Sequence, residues 1–166
     1  MKTCFKCKKP STVNLSHMIY CDNHFLEVIM KRIRKNQLGA FKFDKTYKIL
    51  KMPTTELAIE LLNKIYKGRL KLKQTTKIDE NTIIPTILEQ ETEEFLSIFL
   101  NNKEFNTKIG IFPLRVVLNS EMEHVARILK IKYAPSKGLL DDIEKEHPGT
   151  KFALLKSLKA FEDKNL

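Results

Sequence analysis

The chain has 166 residues and a formal net charge of +10, and hydrophobic residues make up 42% of it. This composition indicates a folded protein rather than a disordered tail, and no apolar run reaches the roughly 18 residues that span a bilayer. No apolar stretch follows the opening Met-Lys-Thr-Cys, so we expect no secretory signal and no membrane partner. The expected compartment is cytoplasmic and reducing, where clustered cysteines serve as metal ligands or catalysts more often than as disulfides.

The positive charge is unevenly distributed. Residues 1–75 contain 17 Lys and Arg against 5 Asp and Glu, whereas residues 76–166 contain 13 against 15. A concentrated basic field attracts polyanions, of which nucleic acid is the commonest. A generally lysine-rich composition is the alternative explanation for the total charge, but it explains the asymmetry less well.

All three cysteines lie near the N-terminus, in the spacing Cys4-x2-Cys7-x13-Cys21-x2-His24. Two such pairs supply the four ligands that zinc takes tetrahedrally in a closed, structural site. Binding of this kind would help fold a segment too short to bury a core of its own. Iron is the alternative metal, and His17 is an alternative fourth ligand without the x2 spacing. The remaining alternative is that Cys7 and Cys21 are ordinary buried residues and His24 is a helix-capping residue.

The next segment, HFLEVIMKRIRKNQ, predicts a helix with Phe25, Ile29 and Ile33 on one face. Its C-terminal part carries four cations within five residues, more than stabilisation of the helix end requires. We predict that these cations, with three lysines beside the first cysteine pair, contact a nucleic-acid backbone; a solvated helix face is the alternative. The predicted RNA-binding residues are Lys6, Lys8, Lys9, Lys31, Arg32, Arg34 and Lys35.

A strand over residues 47–50, a turn and a second amphipathic helix come next. The turn is Met52, Pro53, Thr54 and Thr55. A turn at this place is where α/β proteins bind phosphate, but this one has no glycine, and Pro53 removes a backbone donor. The sequence therefore predicts the strand, turn and helix that surround a nucleotide site, but not the residues that bind the phosphate. It also predicts that Thr54 or Thr55 caps the helix. Binding of ATP by the two threonine hydroxyls is the alternative.

The remaining segments continue the α/β pattern. RLKLKQTTKI predicts a strand, TEEFLSIFLNN an amphipathic helix, and TKIGIFPLRVVL a strand followed by a turn around Pro113. NSEMEHVARILKI predicts a helix capped by Ser120, with Glu123 in the capping-box position. Two further helices are separated by Pro148 and Gly149. The sequence shows no recognisable Ser/His/Asp or Cys/His catalytic set.

The order of these pieces resembles the cytosolic tRNA 2-thiolation proteins of the PP-loop superfamily, two paralogous subunits that place sulfur on the wobble uridine. The resemblance is carried by the cysteine module and its helix, by the strand, turn and helix, and by PLR…SEMEHVARILKIKY and LLDDIEKEHPGTKFALLKSL. The chain looks more like the second, non-catalytic subunit, in reduced form. The family's SGGxDS nucleotide loop is replaced by Met52-Pro53-Thr54-Thr55-Glu56-Leu57, and residues 41–166 contain no cysteine.

The resemblance implies a zinc-binding module over residues 1–40 and a degenerate PP-loop, adenine nucleotide alpha hydrolase-like α/β domain with a mainly parallel sheet over residues 41–166. It implies a pseudo-enzyme with structural zinc, no catalytic residues and no ATP. Such a subunit would bind tRNA and form a heterodimer with the catalytic paralogue, which receives sulfur from a ubiquitin-like carrier. His24 departs from the family, which usually has cysteine there, and the second subunit's further CxxC pair is absent.

Two other functions compete with this interpretation. One is a diverged PP-loop enzyme that still binds ATP through Thr54 and Thr55. The other is a small basic zinc-binding module that interacts with nucleic acid or protein and has no link to tRNA thiolation.

Overall fold

A computed structural model describes residues 2–15, 18–104, 109–135 and 138–164. Helices and strands alternate through the middle of the chain, between an N-terminal hairpin and a C-terminal group of helices. In chain order the elements are β1 (Val13–Leu15), β2 (Met18–Tyr20), α1 (Asp22–Asn36), β3 (Thr46–Leu50), α2 (Thr55–Tyr66), β4 (Lys71–Thr75), β5 (Thr82–Ile83), α3 (Leu88–Leu100), α4 (Asn119–Leu129), α5 (Leu140–Glu146) and α6 (Thr150–Lys164). Among these described helices, none is both long enough and apolar enough to cross a bilayer.

The N-terminal segment forms a hairpin followed by the predicted helix. β1 and β2 pair antiparallel, with Val13 opposite Tyr20, and both side chains are buried. The sequence pattern does not predict this hairpin, because its strands are only three residues long. Helix α1 buries Phe25, Ile29 and Ile33, so the face predicted from their four-residue spacing is confirmed.

The central sheet has three parallel strands in the order β4-β3-β5. β3 lies in the middle and buries Tyr47 and Ile49. The predicted α/β class with a mainly parallel sheet is confirmed. The strand expected before Pro113 is reduced to a single parallel bridge between Ile83 and Ile111, and residues 107–108 of that segment lie outside the described residues.

The hydrophobic core is continuous from the N-terminal module into the sheet. One cluster contains Cys4 and Phe25 as well as Ile49, Leu61 and Val125. A second, smaller cluster lies between α3 and α6 and contains Leu88, Leu155 and Leu158. The division of the chain into two domains at residue 40 stays a prediction. Residues on both sides of that position pack into the same hydrophobic cluster.

The start of α4 differs from the sequence prediction. Ser120 does not cap this helix, because the N-cap is Leu118 and the helix begins at Asn119. Glu121 lies three residues after Leu118, so its carboxylate reaches back and accepts a hydrogen bond from the Leu118 N–H at 2.9 Å. The capping interaction therefore belongs to Glu121, and the prediction for Ser120 and Glu123 was wrong.

Candidate functional site

The first cysteine pair lies in a tight turn at the start of the chain. The Cys4 N–H donates to Lys9 O at 2.7 Å, and the Lys8 N–H donates to Cys4 O at 3.0 Å. Lys8 adopts a left-handed backbone conformation, with φ of 59°, which reverses the chain just after Cys7. The Phe5 N–H then donates to Ile19 O at 2.8 Å, so the turn is fastened to β2 and both cysteines face the same side.

The second ligand pair lies at the start of α1. Cys21 is the N-cap residue and His24 is in the first turn, so the x2 spacing places both side chains at the same end of the helix. The ligand atoms of all four residues lie within 4.8 Å of one another. The Cys7 and Cys21 sulfurs are 3.7 Å apart, and His24 Nδ1 lies 3.4 Å from Cys4 Sγ and from Cys21 Sγ. The rival ligand His17 lies outside the described residues.

The three separations of 3.4 to 3.7 Å are close to those around one tetrahedral metal ion. Zn–S bonds of about 2.3 Å and Zn–N bonds of about 2.0–2.1 Å imply ligand–ligand edges of about 3.5–3.8 Å. The far ring nitrogen of His24, Nε2, lies 4.0 Å from the Glu27 carboxylate, the type of outer partner that orients a metal-bound histidine. The cluster therefore offers four protein ligands to one ion.

The two thiols of the first pair have different proton affinities. Burial raises the pKa of the Cys4 thiol, but hydrogen bonds from three backbone groups and from the His24 side chain outweigh it and lower the pKa from 9.0 to about 6. A hydrogen bond from the Lys9 backbone lowers the pKa of the Cys7 thiol, but burial and two neighbouring cysteines raise it by more. The thiolate is the form that binds a metal, so Cys4 is prepared for binding and Cys7 must lose a proton.

The residues in place of the nucleotide loop face into the fold. Thr54 Oγ1 donates to Pro85 O at 2.5 Å, and Thr55 Oγ1 donates to Leu50 O at 2.7 Å. Thr55 Oγ1 also accepts a hydrogen bond from the Met52 N–H at 2.7 Å. Both threonines are buried, so their hydroxyls are occupied by backbone groups of the protein.

The predicted position of the helix cap is confirmed, but the side-chain capping hydrogen bond is absent. Thr54 is the N-cap residue of α2, but its side chain makes no capping hydrogen bond. Its backbone is helical, with φ of −89° and ψ of −2°, whereas a capping side chain usually needs an extended backbone to reach the free N–H groups. The hydroxyl reaches the segment before α3 instead and ties it to the turn.

A cleft lies beside this turn at the carboxyl ends of β3 and β4. It has a volume of about 450 Å³ and is lined by Lys51 and by residues 74–77. Open parallel sheets bind ligands at this edge. The lining contains two lysines but none of the residues Met52 to Thr55. Local sequence patterns do not indicate the cleft, because its two sides are about 25 residues apart in the chain.

The cations of α1 divide into two groups. Arg32 Nη1 donates to both carboxylate oxygens of Glu121, at 2.7 and 2.8 Å, and to Val116 O at 3.2 Å. Its charge is therefore neutralised inside the fold, where Glu121 is buried. In contrast, Lys31 and Arg34 line a groove between α1 and α2, and Lys35 is exposed.

The three N-terminal lysines surround the metal-ligand turn. Lys6 Nζ lies 3.5 Å from the Glu27 carboxylate, and Lys8 and Lys9 are exposed. They lie at the N-terminal end of α1, whereas Lys31, Arg34 and Lys35 lie towards its C-terminal end. The fold thus places the six cations along one helix, in two groups.

Buried ion pairs occupy the C-terminal stretches that carried the family resemblance. Arg115 donates to both oxygens of Glu162 on α6, at 2.9 and 3.0 Å. Lys151 on α6 donates to Glu89 on α3 at 2.9 Å and to Asp141 on α5 at 2.5 Å. These pairs attach the last two helices to the rest of the fold.

Comparison with known proteins identifies a class of fold. No family model matches this chain, and no curated protein matches it. Among solved structures, the α/β fold with its parallel sheet is similar to that of a tRNA thiolase. The particular structure is described as U34-tRNA thiolase NcsA from Methanococcus maripaludis with its 4Fe-4S cluster. The TM-score is 0.72 over 97% of this chain and 87% of that chain, and the sequences are 16% identical. At this identity the comparison establishes the fold.

Proposed function

We propose that this chain is a non-catalytic subunit of a cytoplasmic tRNA thiolation complex. It supports 2-thiolation of the wobble uridine by stabilising a catalytic PP-loop paralogue as a heterodimer and by binding tRNA. The observation that carries the proposal is the likeness to a U34-tRNA thiolase over 97% of the chain. Sulfur reaches the complex from a ubiquitin-like carrier through the catalytic partner.

The absence of catalysis by this chain is proposed from its thiols and its nucleotide loop. Its three cysteines all belong to the N-terminal cluster. Sulfur relay needs a reactive thiolate, and iron–sulfur clusters are held by cysteine thiolates, which residues 41–166 do not contain. The two threonine hydroxyls in place of the nucleotide loop are hydrogen-bonded to backbone carbonyls. These features support a pseudo-enzyme that uses no ATP.

We assign the N-terminal cluster to a single structural zinc ion. The 3.4 and 3.7 Å separations between ligand atoms suit the edges of a tetrahedron around one ion. A four-iron cluster binds each ligand to a different iron and therefore needs ligands spread around a larger body. The proposed role of the ion is to hold the hairpin against the start of α1.

The proposed tRNA surface consists of the exposed cations along α1 and its preceding turn. Arg32 is left out of it because its guanidinium binds Glu121. The remaining residues are Lys6, Lys8, Lys9, Lys31, Arg34 and Lys35. Their contacts with phosphate position the RNA without reading its sequence.

The proposal is tested by the mobility of bulk tRNA on a mercury-containing gel, with and without the protein in its host. Mercury retards thiolated tRNA. We expect the retarded band to disappear on depletion and to return when the full chain is restored. A band that persists unchanged would refute the role in thiolation and favour the alternative of a basic metal-binding interaction module.

A heterodimer is tested separately by size-exclusion chromatography with the catalytic paralogue. We expect the two chains to co-elute. If they elute apart while the retarded band still depends on this chain, the partner assignment is wrong and the link to thiolation stands.

A further inference from the structure

The first feature is a basic groove between α1 and α2. Lys31 and Arg34 of α1 and Lys64 of α2 line it, and its volume is about 230 Å³. Glu27 also lines it, and its carboxylate lies 3.5 Å from Lys6 Nζ. Lys64 is 3.3 Å from the Glu60 carboxylate, but the described part of the chain shows no such ion pair for Lys31 or Arg34. Their charges are therefore available to an anion from outside.

The second feature is a group of aromatic rings around Tyr66, the residue that follows Lys64 and Ile65 of the groove. Phe41 lies 5.1 Å from Tyr47 and 5.2 Å from Tyr66, and Phe43 lies 6.0 Å from Tyr66, all measured between ring centroids. Phe41, Tyr47 and Tyr66 are buried or half-buried, whereas Phe43 is 44% exposed. Phe43 is thus an exposed ring on a rigid aromatic base.

A guanidinium group covers part of this ring. Arg69 Cζ lies 4.5 Å from the Phe43 ring centroid, within the range of a cation–π contact. The geometry results from the end of α2, where Lys67 and Gly68 adopt left-handed conformations with φ of 54° and 69°. These two residues reverse the chain, and the Arg69 Nε then donates to Tyr66 O at 3.4 Å.

Tyr66 connects the two features, because it directly follows Lys64 and Ile65, which line the groove, and its ring centroid lies 6.0 Å from that of Phe43. Burial raises the pKa of Tyr66, and the positive charge of Arg34 partly opposes that rise, so Arg34 is close to the ring that supports Phe43. We call Lys31, Arg34, Phe43, Lys64 and Arg69 the α1–α2 platform. It combines the three cations that line the groove with the aromatic ring of Phe43 and the planar guanidinium group of Arg69.

We propose that the α1–α2 platform binds unpaired RNA, with a base stacked against Phe43 and Arg69 and the flanking phosphates on Lys31, Arg34 and Lys64. Unpaired bases stack on aromatic rings and on arginine planes, whereas a duplex keeps its bases stacked inside and offers mainly its backbone to a basic surface. An acidic peptide would use the cations but not the ring. This inference deepens the tRNA-binding part of the proposed function and rests on it.

The test measures binding of the full chain to oligouridylate and to an RNA duplex with the same number of phosphates. Phe43→Leu keeps an apolar side chain against Tyr66 but removes the stacking surface. It should weaken oligouridylate binding by about 5- to 20-fold, with little change for the duplex. Phe99→Leu, which alters an exposed ring at the end of α3, is the matched control and should bind both RNAs as the unmodified chain does.

Two further variants separate stacking from charge. Arg69→Lys keeps the charge and removes the plane, so it should weaken oligouridylate binding without changing its salt dependence. Lys31→Gln with Arg34→Gln should weaken both RNAs and lower the salt slope by about 1 for each cation removed. Thermal melting of each variant confirms that it is folded.

The results distinguish this inference from the proposed function. Unchanged oligouridylate binding by Phe43→Leu would overturn the inference, as would equal competition by polyglutamate and oligouridylate. If tRNA still binds in that case, the electrostatic surface of the proposed function stands. If Phe43→Leu weakens oligouridylate binding but depletion leaves the thiolated band unchanged, the platform stands and the role in thiolation fails.

Discussion

The metal-ligand cluster and the turn in place of the nucleotide loop differ in where their polar side chains point. In the cluster, four side chains from two segments converge, and their ligand atoms lie within 4.8 Å of one another. In the turn, the hydroxyls of Thr54 and Thr55 point into the fold and donate to Pro85 O and Leu50 O. Ligand atoms that converge in this way could hold an ion, whereas the two threonine hydroxyls already have backbone partners.

The largest expected effect comes from the cluster. Cys7→Ser should abolish stoichiometric metal binding and lower Tm by about 10 °C or more, because a structural metal contributes folding free energy directly. Elemental analysis and thermal melting of the full chain, with and without a chelator, measure this. His17→Ala is the control and should keep both the metal and the Tm. Full metal content in Cys7→Ser, or its loss in His17→Ala, would contradict the proposed ligand set.

A smaller effect is expected at Arg32, the cation of α1 that points into the fold, whereas Lys35 on the same helix is exposed. Arg32→Gln leaves the carboxylate of Glu121 buried without its charge partner, so we expect a loss of about 2–4 kcal/mol in the free energy of unfolding. Lys35→Gln, at an exposed position, should change it by less than about 0.5 kcal/mol. Urea unfolding compares the two. Equal free energies of unfolding for the two variants would mean that the ion pair between Arg32 and Glu121 does not stabilise the fold.

The turn itself is tested by Thr55→Val, which keeps the shape of the side chain and removes the hydroxyl. The Met52 N–H and the Leu50 carbonyl then lose a partner, and we expect a cost of about 1–3 kcal/mol. Thr46→Val, at an exposed position at the start of β3, is the matched control and should be within about 0.5 kcal/mol of the unmodified chain. A neutral Thr55→Val would show that this hydroxyl is available for other use.

The smallest expected effect concerns the binding of ATP by the full chain. Titration calorimetry of the full chain should detect no binding, because the turn lacks glycine, Pro53 has no N–H, and both threonine hydroxyls are hydrogen-bonded within the fold. Saturable binding that is weakened by Thr54→Ala would support the alternative of a diverged enzyme. Binding that is weakened by Lys51→Gln alone would place the nucleotide in the cleft at the ends of β3 and β4.

Much of the fold followed from local patterns. The spacing of Phe25, Ile29 and Ile33 predicted the buried face of α1, and the breaks at Pro148 and Gly149 agree with the end of α5 and the start of α6. Failures occurred where elements were too short for a periodic signal. The β1–β2 hairpin has three-residue strands and β5 has two residues, lengths at which pairing with a neighbour, rather than sequence pattern, decides the conformation.

The sequence by itself determined which residues form the candidate metal site, because the x2 spacings place each ligand pair on one turn or one helix end. Alternation of strand and helix patterns also indicated the α/β class, and the family resemblance implied its mainly parallel sheet. Only the tertiary structure decided that Thr54 bonds Pro85, that Arg32 pairs with Glu121, and that Arg69 lies over Phe43. These partners lie 26 to 89 residues apart in the chain, so local spacing carries no information about them. Packing of distant elements brings them together.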